Sequence, residues 1–214
     1  MAPEGRIIIL PLLAVTFAAL AGWVWADQPF LKWLAAILVL LTIFTLQFFR
    51  DPQRQLPDDG KAFVSPADGK VVGILPLDYD EHIGGEALQV SIFLSIFNVH
   101  VQRVPVDARV DSTRLEGGRF LAAFNPRASR ENAQSATHFQ STGGRFTIKQ
   151  ITGLVARRII NYMEPGRQVN RGERLGYSRF GSRVDIILPS SFRLSIKVGD
   201  KVKATRSIIG YFEK

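Results

Sequence analysis

Two apolar runs near the amino terminus constrain the fold more than any other feature of this sequence. Ile7 to Trp25 contains no formal charge, and Phe30 to Phe49 is apolar apart from Lys32 and three uncharged polar residues. At about 1.5 Å per residue in a helix, each run is long enough to cross the roughly 30 Å of bilayer hydrocarbon. Because only residues 26–29 separate them, the runs predict a transmembrane helical hairpin rather than a cleaved signal peptide.

Charged residues around the hairpin predict its orientation. Arg6 precedes the first run and Arg50 and Arg54 follow the second, whereas the turn region holds only Asp27 and Lys32. The positive-inside rule then places both ends in the cytoplasm, with the rest of the chain on the cytoplasmic side of the inner membrane. A hairpin that enters the bilayer without crossing it remains an alternative.

The overall charge and the absence of cysteine narrow the classes of partner and chemistry. The chain of 214 residues carries a formal net charge of +8, which favours an anionic partner. A basic domain held against anionic membrane lipid accounts for that charge, and no aromatic residues alternate with basic ones as in nucleic-acid modules. Without cysteine, the chain has no disulfides, thiol catalysis or thiolate metal ligands.

Residues 51–214 predict a mainly β domain with few helices, following a membrane-anchoring unit of residues 1–50. A polar, proline-rich linker at 51–60 leads to short apolar runs separated by turns. Asp68-Gly69 lies between two such runs and predicts a hairpin. Residues 88–104 predict one or two strands, and the irregular segment 117–132 predicts a long loop or short helix that covers a site. The segment 155–162 fits either a helix or a strand.

A weak repeat in the last fifty residues favours a particular β architecture. Gly166, Val169 and Gly172 recur 33 positions later, with threonine in the third place, as Gly199, Val202 and Thr205. Such glycine-marked strand–turn–strand units are typical of a biotinyl-carrier-like β-sandwich or half-barrel. The fold prediction is therefore such a β domain preceded by an N-terminal transmembrane helical hairpin.

Few side chains offer catalytic chemistry. His82 and His138 occupy polar segments and are predicted to lie at the surface, whereas His100 follows the longest apolar run, where it is either a buried structural histidine or a general acid/base. Asp68 and Ser182 are typical turn residues by local rules. Together with His100 they form a possible Ser/His/Asp set, although spacing alone does not bring the three together.

Five segments follow one another along the predicted β domain and cover it from end to end. They are 65–71, 95–105, the loop through Ala128, Ser129 and Asn132, 155–159 and 180–185. In this order they resemble the short, membrane-anchored class of phosphatidylserine decarboxylase proenzymes, and the apolar hairpin also suits this class.

The resemblance implies that the chain makes its own cofactor by autocatalytic serinolysis between Gly181 and Ser182. The hydroxyl of Ser182 attacks the carbonyl of Gly181, and His100, oriented by Asp68, is the implied base. Elimination and loss of ammonia leave a covalent pyruvoyl group derived from Ser182, so neither a metal nor pyridoxal phosphate is expected. The products are the chains 1–181 and 182–214, which are expected to remain together as a heterodimer, with further oligomerisation possible.

The implied reaction is decarboxylation of phosphatidylserine to phosphatidylethanolamine, with the pyruvoyl carbonyl serving as the electron sink. His100 is implied as the proton donor to the carbanion. In longer bacterial relatives the motif carries a second histidine three residues after the first, but here Arg103 stands in that place. The resemblance therefore implies that His100 serves both steps or that another group shares the work.

Two other functions remain open from the residues themselves. One is a membrane-tethered, biotinyl-like binding or adaptor module without catalysis, although no lysine lies in a hairpin tip of the Met-Lys-Met type. The other is a cell-envelope metallopeptidase, which would need clustered ligands that three scattered histidines do not supply. Arg119, Arg127 and Arg130 are candidates for binding the lipid phosphate by charge alone, or are solvated residues of a basic loop.

Overall fold

The computed structural model describes residues 1–154, 158–178 and 181–213 and divides the chain into two compact units, Met1–Gln53 and Arg54–Lys214. The first unit is helical, and the regular secondary structure of the second is almost entirely β-strand. Both parts of the fold prediction, an apolar helical pair followed by a mainly β domain, are confirmed.

The first unit is a helical hairpin. A 3-10 turn at Pro3–Gly5 leads into α1 (Arg6–Ala26), and α2 follows at Pro29–Phe48. Asp27 ends α1 in the left-handed conformation with φ 46°, and Pro29 starts α2 at a position where a missing N–H is harmless. The hydroxyls of Thr16 and Thr42 lie 2.9 Å apart between the helices. Both helices are long and apolar enough to cross a membrane.

In its described residues, the second unit contains fourteen strands and one short helix, α3, at Ala128–Glu131. The strands, in chain order, are β1 (Phe63–Val64), β2 (Gly69–Asp80), β3 (Gly85–Leu94), β4 (Val101–Arg103), β5 (Ala108–Glu116), β6 (Gln134–Ser141), β7 (Arg145–Ile151), β8 (Ile159–Asn161), β9 (Gln168–Val169), β10 (Arg174–Ser178), β11 (Ser182–Pro189), β12 (Arg193–Leu194), β13 (Lys201–Val202) and β14 (Ile208–Tyr211).

One curled antiparallel sheet of eight strands, in the order β13-β2-β3-β11-β7-β6-β5-β9, forms the half-barrel. Two three-stranded sheets, β1-β14-β12 and β4-β10-β8, complete the unit. The predicted hairpin around Asp68-Gly69 is wrong, because β1 pairs with β14 and only β2 joins the large sheet. The backbone of Ser65 instead bonds to Ser207 and Thr205, which directs β1 away from β2.

The centre of the large sheet is β11, which pairs with β3 on one side and β7 on the other. Its residues from Ser182 to Leu188 are all buried, so both faces of the strand are covered. Val184, Ile186 and Leu188 alternate into the main apolar core, as a period of two requires.

The 33-residue repeat is present in the backbone. Gly166 and Gly199 both have positive φ, 85° and 100°, and each precedes a two-residue strand. Gly172 has φ 84°, and the residue that replaces it in the second copy, Thr205, keeps the left-handed conformation at φ 65°. Two strand–turn–strand units of the same design therefore lie in this part of the fold.

Several strands of the large sheet begin or end at the same end of the sheet. Leu94 ends β3 opposite Ser182, which begins β11, and Ile151 ends β7 opposite Arg183. Gln134 begins β6 opposite Ile151. Three connecting segments, residues 95–100, 117–133 and 152–154, leave this end of the sheet. They carry the residues that surround Ser182. The predicted loop or short helix at 117–132 is a loop that includes α3.

Candidate active site

Ser182 is the first residue of β11 and lies completely inside the protein, with 0% of its surface exposed. Among the residues that the structure describes, its hydroxyl has no hydrogen-bond partner. Leaving a buried polar group unsatisfied costs about 1–3 kcal/mol, so such a group in a folded protein requires an explanation. A hydroxyl that reacts with its own backbone provides one.

Gly181, the residue before it, has an unusual backbone. Its φ is +66°, in the left-handed region that glycine reaches without steric penalty. Its amide N–H points at Nε2 of His100, at a donor–acceptor distance of 3.3 Å. The backbone nitrogen of the residue before Ser182 therefore lies within hydrogen-bond reach of an imidazole.

The neighbours of His100 define its tautomer. The side chain is completely buried, and Nδ1 lies 3.0 Å from the carbonyl oxygen of Asn98. A carbonyl only accepts, so Nδ1 carries the hydrogen, and Nε2 is left as the acceptor for the Gly181 amide. Asn98 is itself fixed, because its side-chain oxygen accepts hydrogen bonds from the backbone and hydroxyl of Ser95. The basic nitrogen of His100 is thus directed at the Gly181–Ser182 segment.

Asp68 is held elsewhere. Its two carboxylate oxygens receive Nη1 and Nη2 of Arg54 at 2.5 and 2.7 Å, and the backbone N–H of Ala204 at 2.9 Å. Within the described structure, His100 does not donate to Asp68 the hydrogen bond that a catalytic triad requires, since its Nδ1 lies against the carbonyl oxygen of Asn98. The structure brings Ser182 and His100 to one site and leaves Asp68 in an ion pair.

Gly153 is a site residue that sequence reasoning missed. A Cβ atom at this position would overlap the carbonyl oxygen of Gly181, so only glycine allows that carbonyl to lie where it does. The same Cβ would lie 3.3 Å from the Cβ of Ala123. The only signal in the sequence is a Thr-Gly pair at the end of a predicted strand, which local rules interpret as a turn.

Asn132 ties together the two loops around this carbonyl. Its amide nitrogen donates to the carbonyl oxygens of Leu121 and Thr152, both at 2.8 Å, and its oxygen accepts the N–H of Leu121 at 2.8 Å. The backbone and hydroxyl of Thr152 bond in turn to the carbonyl of Ala133. The side chain is 2% exposed, so this connection is sheltered from water.

A buried ion pair follows Ser182 on the same strand. Nε of Arg183 donates to Asp185 at 2.7 Å, and the hydroxyl of Ser129 donates to the other carboxylate oxygen at 2.5 Å. Arg183 also donates to the hydroxyl of Ser91. Two opposite charges at alternate positions of an apolar strand are the sequence signal for such a pair, because these residues share one face.

The remaining titratable residues singled out in the sequence lie in other contacts. Arg103 donates to the carbonyl of Gly172 at 3.3 Å. The rings of His82 and His138 lie 4.6 Å apart near the β2–β3 turn, where both are only partly buried. Burial, and next the neighbouring His82, lower the pKa of His138 below its ordinary value.

The arginines of the irregular loop separate into two groups. Arg119 and Arg127 both pair with Glu131, at 3.2 and 2.6 Å, while Arg130 is exposed and is not part of that cluster. Of the segments that match the family, residues 155–157 and 180 lie outside the described structure. Within the described residues, no group of three or more His, Asp or Glu side chains is arranged to hold a metal ion.

Comparison with known proteins identifies the family. The model of the phosphatidylserine decarboxylase family matches residues 41–210. A protein of Desulfotalea psychrophila called phosphatidylserine decarboxylase proenzyme is 44% identical over 178 residues, which is 83% of each chain. Proteins of the same name from Nitrosomonas eutropha and Aromatoleum aromaticum are 41% and 42% identical, over 94% and 98% of this chain and 89% and 94% of their own.

The matched range includes every described residue of the site, from Asp68 and His100 to Gly181 and Ser182. Since both the family model and the relatives cover most of the chain, the chain belongs to the phosphatidylserine decarboxylase family and is a carboxy-lyase.

Proposed function

We propose that the chain converts phosphatidylserine to phosphatidylethanolamine with a pyruvoyl group that it makes by cutting itself between Gly181 and Ser182. The observation that carries this proposal is the contact of the Gly181 amide with the basic nitrogen of His100, beside the unbonded hydroxyl of Ser182. This contact holds the base against the residue whose carbonyl would be attacked, and that residue is next in the chain to the nucleophile.

The first step is an acyl shift within the chain. Nε2 of His100 gives up the Gly181 N–H and takes the proton of the Ser182 hydroxyl, and the oxygen attacks the carbonyl carbon of Gly181. The C–N bond then breaks, and the departing nitrogen of residue 182 takes up the proton. The peptide becomes an ester, with no atom gained or lost.

The second step removes the ester. Loss of the Cα proton of residue 182 expels the carboxylate of Gly181 and leaves a carbon–carbon double bond at residue 182. That enamine shifts to an imine, water adds, and ammonia leaves, so the chain 182–214 begins with a pyruvoyl group. The backbone at Gly181 supports this sequence, because a left-handed glycine lets the chain turn so that its carbonyl meets the next hydroxyl.

Gly153 and Asn132 would hold the scissile carbonyl for attack. Gly153 lets the oxygen of Gly181 lie against its backbone, and Asn132 fixes the flanking loops through three backbone hydrogen bonds. A group held in the attacking geometry reacts much faster than a mobile one, because its rotational freedom has already been lost.

In the decarboxylation itself, a pyruvoyl group at position 182 supplies a carbonyl that combines with the substrate amine and accepts the electrons released with CO2. The chain contributes its surroundings. His100 would carry the proton that replaces the carboxylate, and the burial of residue 182 keeps bulk water away from that carbon. Asp68 enters only through its pairing with Arg54 and Ala204, which anchors the segment before β2.

We further propose that residues 1–50 anchor the decarboxylase domain, residues 51–214, to the cytoplasmic face of the inner membrane. Support comes from two helices of membrane-spanning length and from arginines at the start of the first helix and after the end of the second. The substrate is a lipid of that membrane, and the chains 1–181 and 182–214 would work as a heterodimer.

Gel electrophoresis and intact-mass measurement of the purified protein test the proposed cut. The active protein should contain two chains, the smaller lighter by one ammonia than residues 182–214 with a serine terminus. Ser182→Ala should leave one uncut, inactive chain, whereas Ser190→Ala, at an exposed position just beyond the other end of β11, should process normally. Hydroxylamine should release residues 1–181 from any ester that accumulates.

An active enzyme that remains a single uncut chain contradicts the proposal. So does decarboxylation at the wild-type rate by Ser182→Ala. An uncut protein that binds lipid without turning it over would favour the alternative of a membrane-tethered adaptor module.

A further inference from the structure

Four large apolar side chains are exposed on the loops that surround the proposed cut. Ile96, Phe97, Phe124 and Leu154 expose 40%, 67%, 66% and 62% of their surfaces. Single exposed apolar residues are ordinary, but a concentration of them around one site indicates a surface that meets an apolar partner.

Contacts connect the loops that contain Phe124 and Leu154 to the site. The ring of Phe124 lies edge-on to that of Phe93, with 6.0 Å between centroids, and Phe93 is the partner of Arg183 in the sheet. Phe124 follows Ala123, which packs on Gly153, and Leu154 follows Gly153. Both side chains therefore belong to the loops that pack at the Gly181 carbonyl.

The other two side chains belong to the turn that holds the histidine. Ile96 and Phe97 lie between Ser95 and Asn98, whose side chains bond to each other, and the carbonyl of Asn98 holds Nδ1 of His100. All three loops thus carry apolar tips outward and site residues inward.

Arg130 adds a positive charge to the same border. It is exposed on α3, two residues before the Asn132 side chain that ties the loops together. Its neighbours Arg119 and Arg127 share the single carboxylate of Glu131. An exposed guanidinium suits the phosphate or carboxylate of an anionic lipid, with which it forms paired hydrogen bonds.

We infer that these five residues, Ile96, Phe97, Phe124, Leu154 and Arg130, form a docking rim that enters the interface of an anionic bilayer. The inference rests on the proposed function, which places the reacting group at position 182. That residue is completely buried, and the acyl chains of a phospholipid are costly to transfer into water. Apolar tips in the bilayer let the headgroup reach the site while the acyl chains stay in lipid.

Single cysteine labels test the rim directly, because the chain has no cysteine of its own. The full chain carrying Phe124→Cys or Leu154→Cys is labelled with the fluorophore NBD and reconstituted into phosphatidylcholine vesicles that contain phosphatidylglycerol, an anionic lipid other than the substrate. Spin-labelled lipids should quench both labels, and the NBD emission should shift to shorter wavelength.

Tyr79→Cys is the matched control. Tyr79 is 66% exposed, as Phe124 is, but it lies near the β2–β3 turn, at the opposite end of β3 from Leu94. At about 3.3 Å per residue, that strand separates the two ends by roughly 30 Å, beyond the 5–10 Å to which an interfacial segment enters the bilayer. We expect at least about threefold stronger quenching at positions 124 and 154 than at 79. Equal quenching at all three positions overturns the inference.

Kinetics provide a second readout. Phe124→Glu and Leu154→Glu should raise the KM for long-chain phosphatidylserine in vesicles about tenfold, because a carboxylate enters the interface poorly. The kcat for a short-chain, water-soluble phosphatidylserine should stay within about twofold, and Tyr79→Glu should change neither constant. Equal loss on both substrates would contradict a docking role.

Label quenching and chain cleavage, measured on the same samples, also separate this inference from the proposed cut. Labels quenched in a chain that stays uncut would support the rim and refute the cut. Normal processing with unquenched labels would support the cut and refute the rim.

Discussion

At the scale of single residues, the proposed cut depends on two glycines with different tasks. Gly181 supplies a left-handed backbone before Ser182, and Gly153 leaves room for the carbonyl of Gly181. The first was found from the resemblance of residues 180–185 to the family, because local rules alone interpret a Gly-Ser pair at the mouth of a strand as a turn. The second could not be found from the sequence, because the contact joins segments that are distant in the sequence.

Gly153→Ala should slow self-cleavage by at least about tenfold, which corresponds to about 1.4 kcal/mol of barrier. The added methyl would push the Gly181 carbonyl away from its position beside Ser182 and His100. Time courses of chain cleavage on a gel after synthesis measure the effect.

Gly210→Ala is the control for this substitution. Its Cβ would also overlap a backbone carbonyl, that of Arg193, but in the sheet β1-β14-β12 away from the site. It should lower the free energy of unfolding and leave the cleavage rate unchanged. If both variants cleave equally slowly, crowding acts through general destabilisation and the role of Gly153 is refuted.

Asp68 forms an ion pair that residue-level reasoning did not foresee. A turn aspartate near a candidate serine and histidine predicts a triad, but the carboxylate pairs with Arg54, a residue of the stretch interpreted as a linker. Nothing in the spacing of 54 and 68 indicates that pair, because it forms only when the linker folds back on the domain.

Asp68→Asn and Arg54→Gln should each lower the free energy of unfolding by about 1.5–3 kcal/mol, since each removes a charged hydrogen bond from a mostly buried pair. The double variant should lose clearly less than the sum of the two, because both substitutions break the same interaction. Denaturant unfolding of the full chain in detergent, on a Ser182→Ala background that keeps it uncut, measures the three values.

Self-cleavage in the same single variants distinguishes the anchoring role of Asp68 from the triad. Anchoring predicts that Asp68→Asn and Arg54→Gln slow the cut to a similar extent. A cut that is abolished by Asp68→Asn and normal in Arg54→Gln would instead show that Asp68 acts on His100.

At the scale of secondary-structure elements, the sequence predicts a strand where the residues of that strand favour it. It does not predict which distant strand becomes its partner. The apolar run of β11 and the alternation in β5 to β7 indicate strands directly. The pairing of β1 with β14 could not be foreseen, because a local Asp-Gly signal favours the neighbouring strand. The repeat was visible in the sequence, since positive-φ positions favour glycine.

The contact between the β2–β3 turn and β6 should make stability depend on pH. Burial and the nearby His82 lower the pKa of His138 in the folded protein, while Asp80 opposes this and Arg114 and Lys149 add to it. The unfolded chain, with an ordinary pKa of about 6.5, therefore binds this proton more readily. Stability should fall as the pH drops through about 6.5, and His138→Gln should flatten that decline in unfolding curves measured from pH 8 to 5. An unchanged slope in the variant would contradict the assignment.

At the scale of the whole molecule, the two products of the proposed cut share one core. Three strands of residues 182–214 pair with strands of residues 1–181. β11 pairs with β3 and β7, β13 pairs with β2, and β14 pairs with β1. The mainly β architecture and the helical hairpin were predictable from the sequence. This interleaving was not, because it depends on strand order.

We therefore expect residues 1–181 and 182–214 to elute together in size-exclusion chromatography in a mild detergent and to separate only in denaturant. Residues 1–181 expressed alone should fail to fold, since the sheet would lack its central strand. Separate elution of the two chains without denaturant would contradict the expected heterodimer.

The central place of β11 also determines how long each molecule can work. Under the proposed cut, the reactive ketone is the end of a strand enclosed by β3 and β7, so a spent short chain cannot be exchanged for a fresh one without opening the core. Nor can the ketone be regenerated, because its precursor peptide bond is broken once in the life of the polypeptide. Lost capacity can then be replaced only by synthesis of new protein, and the supply of phosphatidylethanolamine becomes tied to the rate of translation.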